Sequence, residues 1–117
     1  MAQTPTIDVL LNRFQDEVHS VFYPFLIMSV VATKGPITKD EIRDEILRRA
    51  HGWFEKEASA HNRLVGRIEK TFGLIAPVKK SSDSSAVRFQ LTAKGKKLYE
   101  ASLDRVIFPL VDALTDE

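Results

Sequence analysis

The chain has 117 residues, a length that fits one domain. Apolar residues make up 44% and charged residues 28% of it, which excludes disordered and fibrous proteins. Its 17 basic and 16 acidic residues leave a net charge of +1, so the overall charge favours no class of partner. The absence of cysteine excludes disulfide scaffolds, cysteine-ligated zinc and thiol nucleophiles.

No segment of the sequence has the pattern of a membrane span. The most apolar run, residues 21–32, is about 12 residues long, whereas a spanning helix needs roughly 20 apolar residues. The first residues also lack the basic and apolar regions of a signal peptide. Because small secreted domains often carry disulfides, we expect a cytoplasmic protein with no membrane partner.

The first third of the chain predicts two helices. Apolar residues at three- and four-residue steps predict a helix over residues 7–18, with Thr6 as its cap. A second helix is predicted to begin at Pro24, because a first turn tolerates a residue without an N–H. It runs to residue 34 and is almost uniformly apolar, so it must be buried in the core or in a subunit interface.

Two further helices follow. Thr38 and Glu41 have the spacing of a capping box, in which each side chain accepts from the main chain of the other, and the helix they begin is predicted to stop at Gly52. A fourth helix is predicted over residues 57–72, with Gly73 as the left-handed residue at its end.

The periodicity then changes from helical to alternating. Residues 74–79 and 86–91 are strand-like and flank the polar segment 80–85, which predicts a β-hairpin. Thr92 is predicted to cap the last helical region, and Pro109 to kink or restart it, because proline removes a main-chain donor.

This order of elements predicts a mainly α fold with a small β-hairpin, a winged helix-turn-helix with extra N- and C-terminal helices. We expect a single domain over residues 1–117 with its core at about 24–99. The terminal helices, 7–18 and 98–115, are predicted to be dimerisation elements because the last one is too apolar to stand alone in water. The alternative is that the last helix folds back on the first helix of its own chain.

Positive charge is concentrated in the middle of the chain. Residues 55–97 carry ten basic and four acidic side chains, a net charge of +6, whereas the rest carries −5. A basic segment between acidic ends favours a localised phosphate-binding face.

The fourth predicted helix has a polar face opposite Leu64, Ile68 and Phe72. Arginine and asparagine pair with the edges of guanine and adenine, and Gly66, which costs about 1 kcal/mol inside a helix, would let another surface approach closely. The DNA-binding residues predicted on this helix are Ser59, Asn62, Arg63, Gly66, Arg67 and Lys70. The alternatives are a solvated basic face and a protein-binding face.

The hairpin adds a second group of cations. Lys79, Lys80 and Arg88 flank a tip of four serines and one aspartate, and such donors can lie along a phosphate backbone. We predict that these three residues contact DNA, with an ordinary solvent-exposed turn as the alternative.

Two segments resemble a known class of domains. Residues 62–75, which end in Gly73-Leu74-Ile75, and residues 89–95, with Leu91-Thr92-Ala93-Lys94-Gly95, are similar to winged-helix domains. Similar patterns occur in PadR-like and MarR-like regulators and in the N-terminal domain of Mrr-type restriction enzymes. The resemblance covers roughly residues 34–99. It implies a DNA-binding role for residues of the fourth helix and of the wing, namely Ser59, Asn62, Arg63, Arg67 and Lys70, with Lys79, Lys80 and Arg88 on the wing.

Catalytic and cofactor patterns are missing from the sequence. It has no glycine-rich phosphate loop, no nucleophile elbow and no nuclease segment after Leu91, so we expect neither an enzyme nor a cofactor. His51 and His61 have glutamates four residues away, yet we interpret these histidines and His19 as surface or capping residues and predict no metal site.

The predicted function is therefore sequence-specific binding of duplex DNA by a small homodimeric transcriptional regulator. The alternative is a winged-helix module, or a subunit of a larger complex, that binds protein and not DNA.

Overall fold

A computed structural model of the chain describes residues 4–52, 56–78 and 87–115. In chain order, the elements of this described part are α1 (Ile7–Lys34), β1 (Ile37–Thr38), α2 (Lys39–Arg49), α3 (Ala58–Lys70), β2 (Ile75–Pro77), β3 (Arg88–Leu91), α4 (Ala93–Ser102), a π-helical turn (Leu103–Ile107) and α5 (Phe108–Thr115). The predicted fold class, mainly α with a small β-hairpin, is confirmed, and the hairpin strands belong to a three-stranded antiparallel sheet.

Helix α1 is one continuous helix of 28 residues, so the prediction of two helices with a start at Pro24 is wrong. The predicted cap is present, because Thr6 Oγ1 accepts from the Val9 amide at 3.3 Å. Pro24 lies inside the helix between two fully buried side chains, Tyr23 and Ile27. Burying side chains of this size contributes about 1.5–3 kcal/mol each, which offsets the roughly 3 kcal/mol cost of an interior proline.

Helix α2 begins with the predicted capping box. Thr38 Oγ1 accepts from the Glu41 amide at 3.2 Å, and Glu41 Oε1 accepts from the Thr38 amide at 3.1 Å. The hydrogen bond from the Thr38 main chain holds the pKa of Glu41 below its ordinary value. The helix ends before His51 and Gly52, which have positive φ angles of 53° and 80°.

The sheet has three strands in the order β1–β3–β2, all antiparallel. The predicted pairing of the two hairpin strands is confirmed, with Ile75 opposite Leu91. Strand β1 was not predicted, because two residues are too short to show alternation. It pairs Ile37 with Phe89 and places β3 at the centre of the sheet.

The core lies between α1, α2, α3 and the sheet. Its fully or almost fully buried apolar residues include Tyr23, Ile27, Val30, Ile42, Ile46, Val65, Ile75 and Phe89. Helix α1 contributes more of these side chains than any other element, so the two following helices and the sheet are assembled on it.

Thr92 joins the end of α3 to the start of α4. Its hydroxyl donates to the Gly73 carbonyl oxygen at 2.7 Å and accepts from the Gly95 amide at 3.0 Å, which confirms the predicted cap. Gly73 has a φ of +65°, and the Thr92 amide donates to the Leu74 carbonyl oxygen at 3.0 Å. These bonds bring α4 so close to Leu74 that Gly95 has no room for a Cβ atom.

The last helical region continues past Pro109. Because Pro109 has no N–H, the α-helical bond at that position is missing. The chain passes through the π-helical turn, in which the Phe108 amide donates to the Leu103 carbonyl oxygen. It then resumes as α5.

The apolar side chains of both terminal segments remain exposed in the single chain. Ile7, Phe14, Val111 and Leu114 are 76%, 66%, 48% and 76% exposed. The fold-back alternative is therefore wrong, because α5 does not cover the start of α1.

We predict that Gly95→Ala destabilises the fold strongly. The added Cβ would lie 2.9 Å from the carbonyl carbon of Leu74 and closer still to its oxygen, and overpacking of this kind typically costs about 1–3 kcal/mol. Urea unfolding measures the change. The matched control is Gly66→Ala, whose Cβ meets no atom within 4 Å and which should raise the unfolding free energy by up to about 1 kcal/mol. Equal stability of the two variants would contradict the close approach.

Candidate nucleic-acid interface

Helix α3 has one buried and one exposed face. His61, Val65 and Ile68, spaced four and three residues apart, are buried against the core. The opposite face exposes four of the predicted DNA-binding residues, at steps of three and four along the helix. These are Ser59, Arg63, Arg67 and Lys70. Three cations on one exposed face make a surface that can bind phosphates or base edges.

Asn62 and Gly66 lie at the side of this face and are half-buried. Asn62 Oδ1 is buried and has no hydrogen-bond partner within residues 4–52, 56–78 and 87–115. A Cβ atom added at Gly66 would meet nothing within 4 Å, so packing inside the chain does not require a glycine there.

A groove of about 530 Å³ separates α3 from the sheet. Asn62 and Lys70 line it from α3, and Lys39 and Phe89 line its other side, with Lys39 Nζ 5.9 Å from the centre of the Phe89 ring. Lys39 was not among the predicted site residues. The sequence signal for Lys39 was a cation in the first turn of a predicted helix. The positive end of the helix dipole makes this position unfavourable for a cation.

The wing cations are only partly described. Arg88 begins β3, and its Nη1 lies 3.2 Å from Glu41 Oε1 in an exposed ion pair with the capping box of α2. Exposed pairs of this kind contribute little stability, so the guanidinium can exchange its carboxylate for a phosphate at low cost. Lys79 and Lys80 lie outside the described residues.

Two of the predicted orientations are wrong. Phe72 is 49% exposed and does not face the core, because α3 ends at Lys70. His61 is neither a surface nor a capping residue: it is fully buried, with Nδ1 2.7 Å from the Tyr23 hydroxyl and Nε2 2.8 Å from the Lys39 carbonyl oxygen. Its spacing from Val65 and Ile68 matches the buried stripe and could have revealed this.

Burial shifts the pKa of both rings in this pair. Loss of solvation lowers the pKa of His61 below its ordinary value of 6.5 and raises the pKa of Tyr23 to about 12. The imidazole is therefore neutral and the phenol protonated at neutral pH.

Within the described residues, no group of three or more metal-ligating side chains is brought together.

Comparison with solved structures identifies the architecture. MarR from E. coli in its apo form superposes with a TM-score of 0.67 at 17% sequence identity, over 97% of this chain and 85% of that one. A PadR family transcriptional regulator from Eggerthella lenta gives 0.66 at 18% identity, over 94% and 96%. The fold is a winged helix-turn-helix. A MarR family protein from Bacillus stearothermophilus gives 0.59 at 21% identity, over 94% and 73%.

The predicted likeness to winged-helix regulators is thus confirmed at the level of the fold. No family model matches the sequence, and no curated protein matches it. In winged-helix terms, α3 is in the position of the recognition helix, and β2 and β3 are the strands of the wing.

Among the described helices, none is long and apolar enough to cross a membrane.

Proposed function

We propose that this winged helix binds duplex DNA as a small homodimeric transcriptional regulator. The observation that carries the proposal is the exposed cationic face of α3, with Arg63, Arg67 and Lys70 on the side of the helix opposite the core. In this assignment Ser59, Asn62 and Gly66 complete the surface that approaches the bases.

The distribution of charge along the chain also supports DNA contact through α3 and the wing. The segment of residues 55–97 carries +6, and it contains both the recognition helix and the wing. The acidic residues are concentrated outside it, so phosphates would be attracted to the middle of the chain and repelled from its ends. Arg88, together with Lys79 and Lys80, would follow the phosphate backbone beside the recognition helix.

The homodimer is supported by the two exposed apolar surfaces. The first is on α1 and contains Ile7, Leu10, Leu11 and Phe14; the second is on the C-terminal helices and contains Val106, Phe108, Leu110, Val111 and Leu114. Burying one such side chain contributes about 1.5–3 kcal/mol, so a second copy that covers both surfaces gains enough to associate. A two-fold dimer also matches a two-fold DNA site.

A protein-binding module is the second candidate, and one observation favours it. The half-exposed Phe72 and Leu98 border an apolar pocket of about 310 Å³, which Phe25, Met28 and Tyr99 also line. A protein segment could fill this pocket without any contact to nucleic acid. The salt dependence of DNA binding distinguishes the two candidates, because only phosphate contacts release counterions.

We predict that replacing Arg63 and Lys70 together by alanine weakens DNA binding at least about tenfold, since each base contact is worth roughly 1–3 kcal/mol. The duplex is first selected from a random pool by the wild-type chain, and fluorescence anisotropy then gives the dissociation constant at several salt concentrations. In a plot of the logarithm of the binding constant against the logarithm of the salt concentration, wild type should give a slope of about −5, as expected for roughly six phosphates. The double variant should give a shallower slope.

The control for this pair removes the same charge elsewhere in the basic segment. Lys96 and Lys97 are exposed on α4, and their double alanine variant should keep most of the affinity. Equal losses in the two double variants would show that α3 is not the DNA-binding face. Failure of the wild-type chain to select or retain any duplex at low salt would favour the protein-binding module.

We predict that Gly66→Ala separates stability from binding. The helix gains up to about 1 kcal/mol because alanine is the better helix former, whereas a methyl group in a closely packed interface weakens DNA binding by about fivefold or more. Gly66→Leu should weaken it further. Anisotropy and urea unfolding on the same preparations measure both quantities, and unchanged affinity in both variants would remove Gly66 from the interface.

We predict that the full chain is a dimer at micromolar concentration and that Val111→Asp with Leu114→Asp makes it a monomer. The two aspartates would replace apolar side chains whose burial in the dimer is worth about 1.5–3 kcal/mol each. Light scattering after size exclusion measures the mass, and Thr115→Asp on the same helix is the control. A monomeric wild type, or a dimer that survives the double substitution, would contradict the C-terminal interface.

A further inference from the structure

A buried polar bridge joins α1 to the recognition helix. The Tyr23 hydroxyl of α1 lies 2.7 Å from Nδ1 of His61 on α3, and Nε2 of the same ring lies 2.8 Å from the Lys39 carbonyl oxygen at the start of α2. Both side chains are completely buried. Apart from apolar packing, this bridge holds three helices together at one point.

The hydrogen bonds determine where the imidazole carries its proton. The Lys39 carbonyl oxygen can only accept, so Nε2 must be the protonated nitrogen. Nδ1 is then an acceptor, and the Tyr23 hydroxyl donates to it. The neutral ring satisfies both partners, and no polar atom of the bridge lacks one.

A second proton would break this arrangement. Protonated Nδ1 becomes a donor, so the Tyr23 hydroxyl hydrogen loses its acceptor inside the core. The cation would also be buried, which is costly without a paired anion. Charged and titratable groups approach the bridge from α1, α2 and the residues before α3. They are His19, whose ring stacks on Tyr23 at 5.3 Å, Lys39, Asp40, Arg43 and Lys56, whose Nζ lies 5.0 Å from the centre of the Tyr23 ring.

Three of these neighbours are cations and one is an acid. Arg43 and Lys39 oppose a positive imidazole, and Asp40 favours it less strongly than burial opposes it. The hydrogen bond from Nε2 to the Lys39 carbonyl oxygen favours the cation as well, but burial is the larger influence and, together with Arg43 and Lys39, keeps the ring neutral.

We propose that His61 is a positioning residue for the recognition helix, and that its bridge to Tyr23 keeps α3 in its DNA-binding orientation only while the imidazole is neutral. The proposal rests on the proposed function for its effect on DNA. His61 immediately precedes Asn62 and Arg63, so loss of the bridge displaces the first turns of the cationic face. Because Tyr23 belongs to α1, the bridge also couples the recognition helix to the surface assigned to the dimer.

The sign of the pH effect follows from linkage. As the pH falls below 6.5, the unfolded chain binds a proton that folded His61 excludes, so the free energy of unfolding decreases until the pH passes the folded pKa. DNA affinity should fall once the pH passes below the folded pKa, by at most about tenfold per pH unit, because only there does the folded ring take up its second proton. Other groups that gain protons make the chain more positive and strengthen DNA binding, so their effect has the opposite sign.

The experiment compares wild type with His61→Gln and Tyr23→Phe. Glutamine supplies an acceptor for the hydroxyl and a donor for the carbonyl, but it does not titrate. In a pH series from neutral pH down to the onset of acid unfolding, wild type should lose affinity relative to His61→Gln once the pH falls below the folded pKa of His61. His51→Asn, which removes an exposed histidine at a left-handed position that asparagine tolerates, should follow wild type. A pH profile shared by wild type and His61→Gln would overturn the proposal.

A second readout needs no DNA. Hydrogen exchange of the α3 amides should be about tenfold faster in Tyr23→Phe than in wild type, because the variant leaves Nδ1 of His61 unpaired in the core. Nitrogen NMR of the His61 ring should show protonated Nε2 and unprotonated Nδ1 in wild type. Unchanged exchange, or the opposite tautomer, would overturn the bridge. If wild type binds no duplex while exchange and tautomer are as expected, the proposed function fails and the positioning role stands.

Discussion

The burial of one face of α1 is the constraint on which the rest of the structure depends. Tyr23, Ile27, Val30 and Val31 are almost completely buried, and α2, α3, α4 and β3 all pack on this helix. An interior proline is tolerated because the burial on both sides of it outweighs the lost hydrogen bond. Because α1 is 28 residues long, its part from Tyr23 onward can form the core while its first turns stay exposed.

Features with local causes were predictable from the sequence. The caps at Thr6, Thr38 and Thr92 each involve residues three positions apart, so their geometry is contained in a few residues. The hairpin strands and the exposed face of α3 follow from periods of two and 3.6 residues. Strand β1 and the continuity of α1 depend on partners distant in the chain, and no local pattern encodes them.

The residues of the candidate site also divide into those that a local pattern predicts and those that depend on partners distant in the chain. Arg63, Arg67 and Lys70 could be placed on the exposed face because the buried stripe of α3 defines its opposite side. The ion pair of Arg88 with Glu41 joins residues 47 positions apart, and Lys39 reaches the groove only because β1 brings α2 next to the wing. The interpretation of His61 as a surface or capping residue is wrong, although its spacing places it with Val65 and Ile68 on the buried stripe.

The two surfaces that the proposals assign to different partners are connected through α1. Its first turns carry the apolar residues that the dimer proposal assigns to a second copy, and its middle carries Tyr23, whose hydroxyl contacts His61 of α3. Because α1 is continuous over 28 residues, both surfaces belong to one helix. A change in how two copies associate would then alter the separation and tilt of their recognition helices. DNA binding and association are in that case two readouts of the position of the same helix.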